Sequence, residues 1–296
     1  MRQDIAPTMV CDDMHYWRLT PDARLRGRVL CYFVVRYAAG RFEPHRQANE
    51  LLIPDGHSEI VFSFAGAYER WAVGDTAQRA VMQPSYIIGG RSHSVLTRNL
   101  DNLSLIGVKL DSRAMRTLIG TPLAEFRDTT LTLADLKHRA LLDLEDELAD
   151  LSAVSDIAAR LDRFFLTRLD IAPGIDSDVD WLLRHIRAHR GALSIMRWSR
   201  HHRLDARSLE RRFCAWTGMT PKRYARVIRF KHSYQQWLNP RRDTCDAHLD
   251  GYYDQSHFDR EFRYFTGVTP RARTTGKMLG ATSVTDHLLE GEFLGG

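Results

Sequence analysis

The chain has 296 residues, 44% of them apolar and 27% charged, which is the make-up of an ordinary soluble protein with room for two domains and two cores. Its longest apolar run, residues 29–35, excludes a membrane span, and its four scattered cysteines, Cys11, Cys31, Cys214 and Cys245, exclude a disulfide framework or a zinc-type cluster. The formal net charge of +5 is unevenly placed: residues 181–276 hold 20 Lys and Arg against 8 Asp and Glu, an excess of the kind that phosphate binding requires.

Residues 1–27 show little pattern and no apolar stretch of the signal-peptide type, so a cytoplasmic protein is expected. Residues 28–37 are rich in β-branched and aromatic types and predict a buried strand. Two more strands are expected at 48–53 and 58–64, on either side of a turn at Pro54-Asp55-Gly56. Others are expected near 68–73, 80–88, 92–98 and 103–110, the last entered through a hairpin turn at Asp101-Asn102. Short strands at this spacing predict an antiparallel β barrel or sandwich, with a cupin-like barrel among the forms open.

The apolar period then changes. Asp111 suits the cap of a helix carrying Ala114, Met115, Leu118 and Ile119, with Gly120 as its stop. Leu136, Ala140, Leu144, Leu148 and Leu151 form one helical ladder, and Val154, Ile157, Leu161, Phe164 and Phe165 a second stripe. These two helices either close the β domain or form a dimer seam. Residues 171–178 form the expected linker. The domains are thus 1–170, β-rich with trailing helices, and 179–273, all-α, followed by a tail at 274–296. Val179, Leu182, Leu183 and Ile186 open the second domain on one helical face, and Ser194 caps the next helix, with Ile195 and Trp198 inward. A long helix runs from Pro221 and carries Tyr224, Val227, Ile228, Tyr234 and Leu238.

One stretch occurs twice. Residues 205–221 read DARSLERRFCAWTGMTP and residues 254–270 read DQSHFDREFRYFTGVTP. The copies share Asp205/Asp254, Arg211/Arg260, Phe213/Phe262, Thr217/Thr266, Gly218/Gly267, Thr220/Thr269 and Pro221/Pro270. Each copy predicts a short helix. Asp is its N-cap, an apolar stripe is buried (Leu209, Phe213, Trp216; Phe258, Phe262, Phe265), and Gly is the left-handed stop. Thr-Pro then starts a new helix. The outward faces carry Arg207, Ser208, Glu210 and Arg211 in the first copy, and Gln255, Ser256, His257, Asp259 and Arg260 in the second. Short polar helices bearing Arg and held by an aromatic stripe are what a helix-turn-helix lays in a major groove, where these side-chain types reach base edges. Lys222, Arg223, Arg226 and Arg271 are the candidate phosphate contacts. Arg211 and Arg260, being shared, are open to a second reading as scaffold residues paired with a carboxylate or a helix end.

Residues 251–270 resemble the signature of the AraC/XylS family of transcription regulators, and residues 209–230 resemble that family's first helix-turn-helix half. The likeness spans about 178–273. It implies a seven-helix domain in which two helix-turn-helix units, joined by a long helix, present both recognition helices to one face of double-stranded DNA. Two stretches depart from the family. His201-His202-Arg203 stands where small residues are usual, and Asp246 and Asp250 stand where the second scaffold helix is usually apolar. LLIPDGHSEIVFSF resembles a domain found ahead of some such regulators, which implies small-molecule sensing or homodimerisation there. RNA polymerase is a further partner if the chain activates.

No catalytic residue, cofactor or metal site is expected. His45, Glu50, His57, Glu59 and His93 lack the spacing of a metal-binding cupin. Trp17, Trp71, Tyr86 and Arg91 read either as an apolar pocket with one anion handle or as core and rim. Two further readings are a DNA-targeted enzyme, for which no nucleophile or nucleotide motif appears, and an architectural protein that binds DNA without sequence preference.

Overall fold

A computed structural model describes residues 8–11, 14–37, 49–75, 77–82, 84–169, 176–238 and 251–274. Among the described residues, eleven strands precede most of the helices: β1 (Thr8–Cys11), β2 (Met14–Leu19), β3 (Val29–Tyr37), β4 (Glu50–Leu52), β5 (His57–Ala65), β6 (Tyr68–Ala72), β7 (Ala80–Met82), β8 (Tyr86–Ile88), β9 (Val95–Asn99), β10 (Ser104–Asp111) and β11 (Thr130–Thr132). They build two antiparallel sheets, ordered β1-β2-β3-β10-β5-β8-β11 and β4-β9-β6-β7. The larger sheet alternates its side chains across the pleat. Tyr32, Val34, Ile60, Phe62, Ile106 and Val108 face one core. Cys31, Phe33, Val35, Val61 and Leu105 face a second core, which the smaller sheet closes with Tyr68 and Met82.

The first core is covered by helices α1 (Ser112–Ile119), α2 (Leu133–Leu136), α3 (Arg139–Ala149) and α4 (Val154–Leu169). Asp111 caps α1 and Gly120 ends it in the left-handed region, as its residues predict. The ladder from Leu136 to Leu151 is not one helix. Lys137 takes a left-handed conformation and His138 caps a new helix, so Leu136 belongs to α2 while Leu141, Leu144 and Leu148 are the buried residues of α3. The apolar spacing carries on across this two-residue break, which is why the pattern alone does not show it. Ile157, Leu161, Phe164 and Phe165 of α4 are buried in the same core as the sheet. Both helices therefore close the β domain, and neither apolar face is left over for a dimer seam.

Three strand expectations change. Residues 80–88 split into β7 and β8, which lie in different sheets. Asp101-Asn102 joins β9 to β10 across the two sheets and so is not a hairpin turn. Strands β1, β2 and β11 had no predicted counterpart. In β2, Met14, Tyr16 and Leu19 are buried, but the run is short and mixed with His15 and Arg18.

The C-terminal domain is helical: α5 (Ser177–Ala188), α6 (Ile195–His201), α7 (Ala206–Thr217), α8 (Pro221–Leu238), α9 (Gln255–Thr266) and α10 (Pro270–Thr274). Asp176 caps α5, so the last residues of the expected linker are already helix. The domain core gathers Val179, Leu182, Leu183 and Ile186 with Leu209, Phe213, Phe230 and the three phenylalanines of α9. Leu51 and Ile53 of the β domain belong to the same cluster. Gly56 (φ +80°) comes so close to α8 that an added Cβ would lie 2.9 Å from Ile228 Cδ1 and from Tyr224 Cε2. The expected tail begins at residue 274, which ends α10; Asp246, Asp250 and residues 275–296 fall outside the described residues.

Candidate nucleic-acid interface and interior pocket

The two repeats are built alike down to single hydrogen bonds. Asp205 Oδ2 accepts from Ser208 N at 2.7 Å, and Asp254 Oδ1 from His257 N at 2.7 Å. The Thr217 hydroxyl donates toward the Phe213 carbonyl (2.9 Å) and accepts from Met219 N (3.3 Å). Thr266 does the same with Phe262 (2.8 Å) and Val268 (3.3 Å). Gly218 and Gly267 stop the helices at φ +76° and +80°, a region where other residues are strained. Thr220 and Thr269 then accept from Arg223 N and Ala272 N. A chain that turns so sharply after each helix fixes which face of α7 and α9 points outward.

Those faces are placed as follows. Arg207, Glu210 and Arg211 are exposed and Ser208 is half-buried on α7; Gln255, Ser256 and Arg260 are exposed and His257 and Asp259 half-buried on α9. The Gln255 amide donates to Asp259 at 2.7 Å, and the Tyr252 ring lies edge-on to His257 at 5.1 Å. Lys222 and Arg271 are exposed and Arg223 is half-buried. Arg226 is engaged within the domain: its Nε donates to both oxygens of Glu261 at 2.9 Å, and its guanidinium stacks 3.9 Å over the Tyr264 ring. Glu261 was not foreseen, although its helical spacing from Phe258 and Phe262 puts it beside the buried stripe. Arg212 binds Asp176 and Asp178 at the start of α5. Trp216 is half-buried rather than core; the Arg116 guanidinium of the β domain lies 4.9 Å over its ring. Thr217 takes the buried place instead.

The β domain is joined to this unit by a buried polar node. Asp111 accepts from Arg113 Nε and from Arg187 Nη1, each at 2.6 Å. Arg187 Nε also donates to the Tyr224 hydroxyl at 2.8 Å, and Arg113 binds Asp180. Burial by itself would raise the Asp111 carboxyl, but the two guanidiniums outweigh it and hold it well below the usual carboxylate range.

Between the two sheets lies a cavity of about 100 Å³. Met14, Phe33, Val35, Leu52, Ile53, Val61, Leu103 and Leu105 give it apolar walls, and Glu50, Asp55, Glu59, Tyr68, Tyr86, Arg91, Thr97, Asn99 and Lys109 give it polar ones. Of the four residues open to a pocket or a core-and-rim reading, Tyr86 and Arg91 line it. Trp17 packs against the other core and Trp71 is buried under Arg79, so neither does. His57 and Glu59 are buried, but no group of three metal-ligating side chains forms among the described residues. His57 lies 3.4 Å from Asp55, Glu59 binds Arg91 and His93 lies 3.1 Å from Asp128. His45 falls outside the described residues.

A family model described as a helix-turn-helix domain matches residues 198–274, and one described as a domain of unknown function (DUF6597) matches residues 17–132. No curated protein is significantly similar to the chain. Among solved structures, the chain is similar to apo ToxT K231A from Vibrio cholerae strain SCE256, at 13% identity and a TM-score of 0.44 over 84% of this chain and 98% of that one. It is also similar to wild-type ToxT from the same strain with an unsaturated fatty acid bound, at 10% identity and a TM-score of 0.44 over 96% and 99%. KdgF from Halomonas sp. matches 38% of this chain and 92% of its own at 10% identity, with a TM-score of 0.26. No helix among the described residues is long and apolar enough to cross a membrane. With its two matched helix-stop-helix units and the family model over residues 198–274, the C-terminal part of the chain is a double helix-turn-helix domain of AraC type.

Proposed function

We propose that the chain is a sequence-specific transcription regulator that lays α7 and α9 in successive major grooves of double-stranded DNA and takes a small effector in the cavity of its β domain. One observation carries the reading: two helices with identical caps and stops each leave an exposed arginine, Arg211 and Arg260, at the same place. The helix between them, α8, has 18 residues, or roughly 27 Å at ~1.5 Å per residue. Successive major grooves lie ~34 Å apart, so the spacing is of the right order. Base reading falls to Arg207, Ser208, Glu210 and Arg211 on α7, and to Gln255, Ser256, His257, Asp259 and Arg260 on α9. Lys222, Arg223 and Arg271 serve the phosphates. Arg226, given over to Glu261, sets α9 against α8 instead. Two reading units in one chain let a monomer bind specifically, so a homodimer is not required. RNA polymerase is the further partner if the bound chain activates.

The test is a selection from random duplex DNA with the full-length protein at two salt concentrations. Two short motifs about one turn apart are the expected result; salt-sensitive binding with no enriched motif would overturn the reading in favour of an architectural protein. On the selected site, Arg211→Ala is expected to weaken binding by roughly 1–3 kcal/mol if the arginine holds a guanine edge in bidentate fashion. The check is a mobility-shift titration against the selected site and a scrambled one. An unchanged ratio between the two removes Arg211 from base reading.

A further inference from the structure

The two helix-turn-helix units differ at the turn that leads into the reading helix. In the second unit Gly251 takes the left-handed conformation there, at φ +84°. In the first unit that conformation falls to Arg203, at φ +54°, where a side chain is strained and glycine is not. His201 and His202 stand just before it. His201 and Arg203 are exposed and His202 is half-buried. Their rings open a run of four imidazoles across the ends of α5 and α6. His201 meets His202 edge-on at 4.7 Å, His202 lies 6.5 Å from His185, and His185 stacks on His189 at 6.0 Å. Trp181 and Trp198 pack against His202 at 3.9 Å and 4.6 Å. His185 and His189 each donate from Nδ1 to a backbone carbonyl four residues back, which leaves Nε2 to titrate.

Anions are scarce around this run. Besides its histidines, α5 brings Asp178, Asp180, Arg184 and Arg187, and Arg190 follows it. Helix α6 brings Arg197 and Arg200, and α7 brings Arg207 and its cap Asp205. The three carboxylates are engaged: Asp178 by Arg212, Asp180 by Arg113 and Arg184, and Asp205 by Ser208 N. Partial burial, then the charges of His201 and His185, push the His202 imidazole below its ordinary value, and among the described residues no carboxylate counters them. Nor do the four form a metal-binding group among the described residues. An imidazolium here lacks an anion, and a DNA phosphate is the anion that a helix-turn-helix brings to this place. The helix before the turn crosses the sugar-phosphate backbone, while the start of the next one reaches base edges.

We propose that the His201-His202 turn is a backbone-phosphate contact of the first reading unit, and that its histidines bind protons together with DNA. Arg203 supplies a permanent charge beside them. A phosphate favours the imidazolium, so the contact is present at low pH and is lost as pH rises through the bound-state value. Histidine titrates between about pH 5 and 8, so DNA binding tightens from pH 8 to pH 6. The inference rests on the proposed DNA binding and adds a contact that responds to pH.

The experiment uses the full-length protein and its selected duplex, read by fluorescence anisotropy at pH 8 and pH 6 with ionic strength held constant. One proton taken up with DNA tightens binding by at most roughly tenfold per pH unit, and a gain of about tenfold over the interval is expected. The slope of log affinity against log salt should also steepen by about 1 for each new phosphate contact. His201→Gln/His202→Gln is expected to lose most of both effects; what remains belongs to His257 on α9. Because His202 packs on two tryptophans, His201→Lys is the second test, as it leaves that packing in place and fixes a charge. It is expected to bind more tightly than wild type at pH 8 and to respond less to pH. Wild-type affinity unchanged between the two pH values, a double variant that keeps the full response, or a His201→Lys protein no tighter at pH 8 overturns the proposal. The same titrations on a scrambled duplex separate this contact from the regulator reading, since phosphates carry no sequence. A pH response on both duplexes that the double variant loses, with no preference between them, keeps the contact and loses the regulator. A preference for the selected site without a pH response does the reverse.

Discussion

Phe262→Ala is expected to destabilise the C-terminal domain by about 3–5 kcal/mol, the range found when a fully enclosed phenylalanine is truncated and the space does not collapse. Phe262 is fully buried. Its ring meets Trp237 edge-on at 4.9 Å, Phe258 at 5.6 Å, Tyr234 at 5.9 Å and Phe230 at 6.1 Å. Removal leaves four rings facing a void that none can fill without abandoning its own rotamer. The same substitution at Arg260, two residues before it and exposed, should leave stability within about ±0.5 kcal/mol and instead weaken DNA binding. Urea unfolding followed by tryptophan emission checks the pair, since Trp237 reports on this packing. Equal midpoints for wild type and Phe262→Ala would mean that the stripe is not the core of the second unit. Arg260→Ala with unchanged DNA affinity would detach the exposed face from binding.

That contrast also shows what the residues disclose by themselves. Caps, stops and stripes act through neighbours three or four positions away, so Asp205, Asp254, Gly218 and Gly267 announced both repeat helices, α7 and α9, and the strands from β3 to β10 were legible from β-branched and aromatic runs, with β7 and β8 expected as one. What the sequence could not show was set by distant partners. Leu51 and Ile53 look like ordinary strand residues, yet they complete the core of the helical domain. Arg226 looks like a phosphate cation until Glu261, 35 positions on, is found against it. The sheet assignment of β7, β8 and β9 depends on which edges are free after β5 and β10 pair, and no local pattern encodes that. Arg91 could be named as an anion handle from its place among aromatics. Its unmet Nη1 required the folded chain.

Asp111→Ala is expected to cost about 3–5 kcal/mol, because removing one member of a buried ion pair strands the others. Asp111 is 1% exposed. It caps α1 and at the same time receives Arg113 of its own domain and Arg187 of the helical domain, so the change loses a cap and leaves two guanidiniums short of an acceptor. The guanidiniums are better placed to recover water than the carboxylate: the Arg187 side chain is 29% exposed and that of Arg113 14%. The effect should therefore fall toward the lower end of the range. Asp111→Asn keeps the shape and one acceptor oxygen, and should cost less. The two variants separate through pH. The Asp111 carboxyl is held well below its ordinary value in the folded state. Unfolded, it binds a proton near pH ~3.9, so the folded state binds fewer protons through this range. Its contribution is fully present above the unfolded value and is lost as pH falls toward the folded one. Wild type should therefore lose stability more steeply than Asp111→Asn between about pH 5 and 2. Chemical unfolding midpoints at a series of pH values measure this directly. Parallel acid limbs for the two proteins would show that the charge of Asp111 is not what joins the domains. A steeper wild-type limb would place the charged link between the β domain and the helical domain on this one carboxylate.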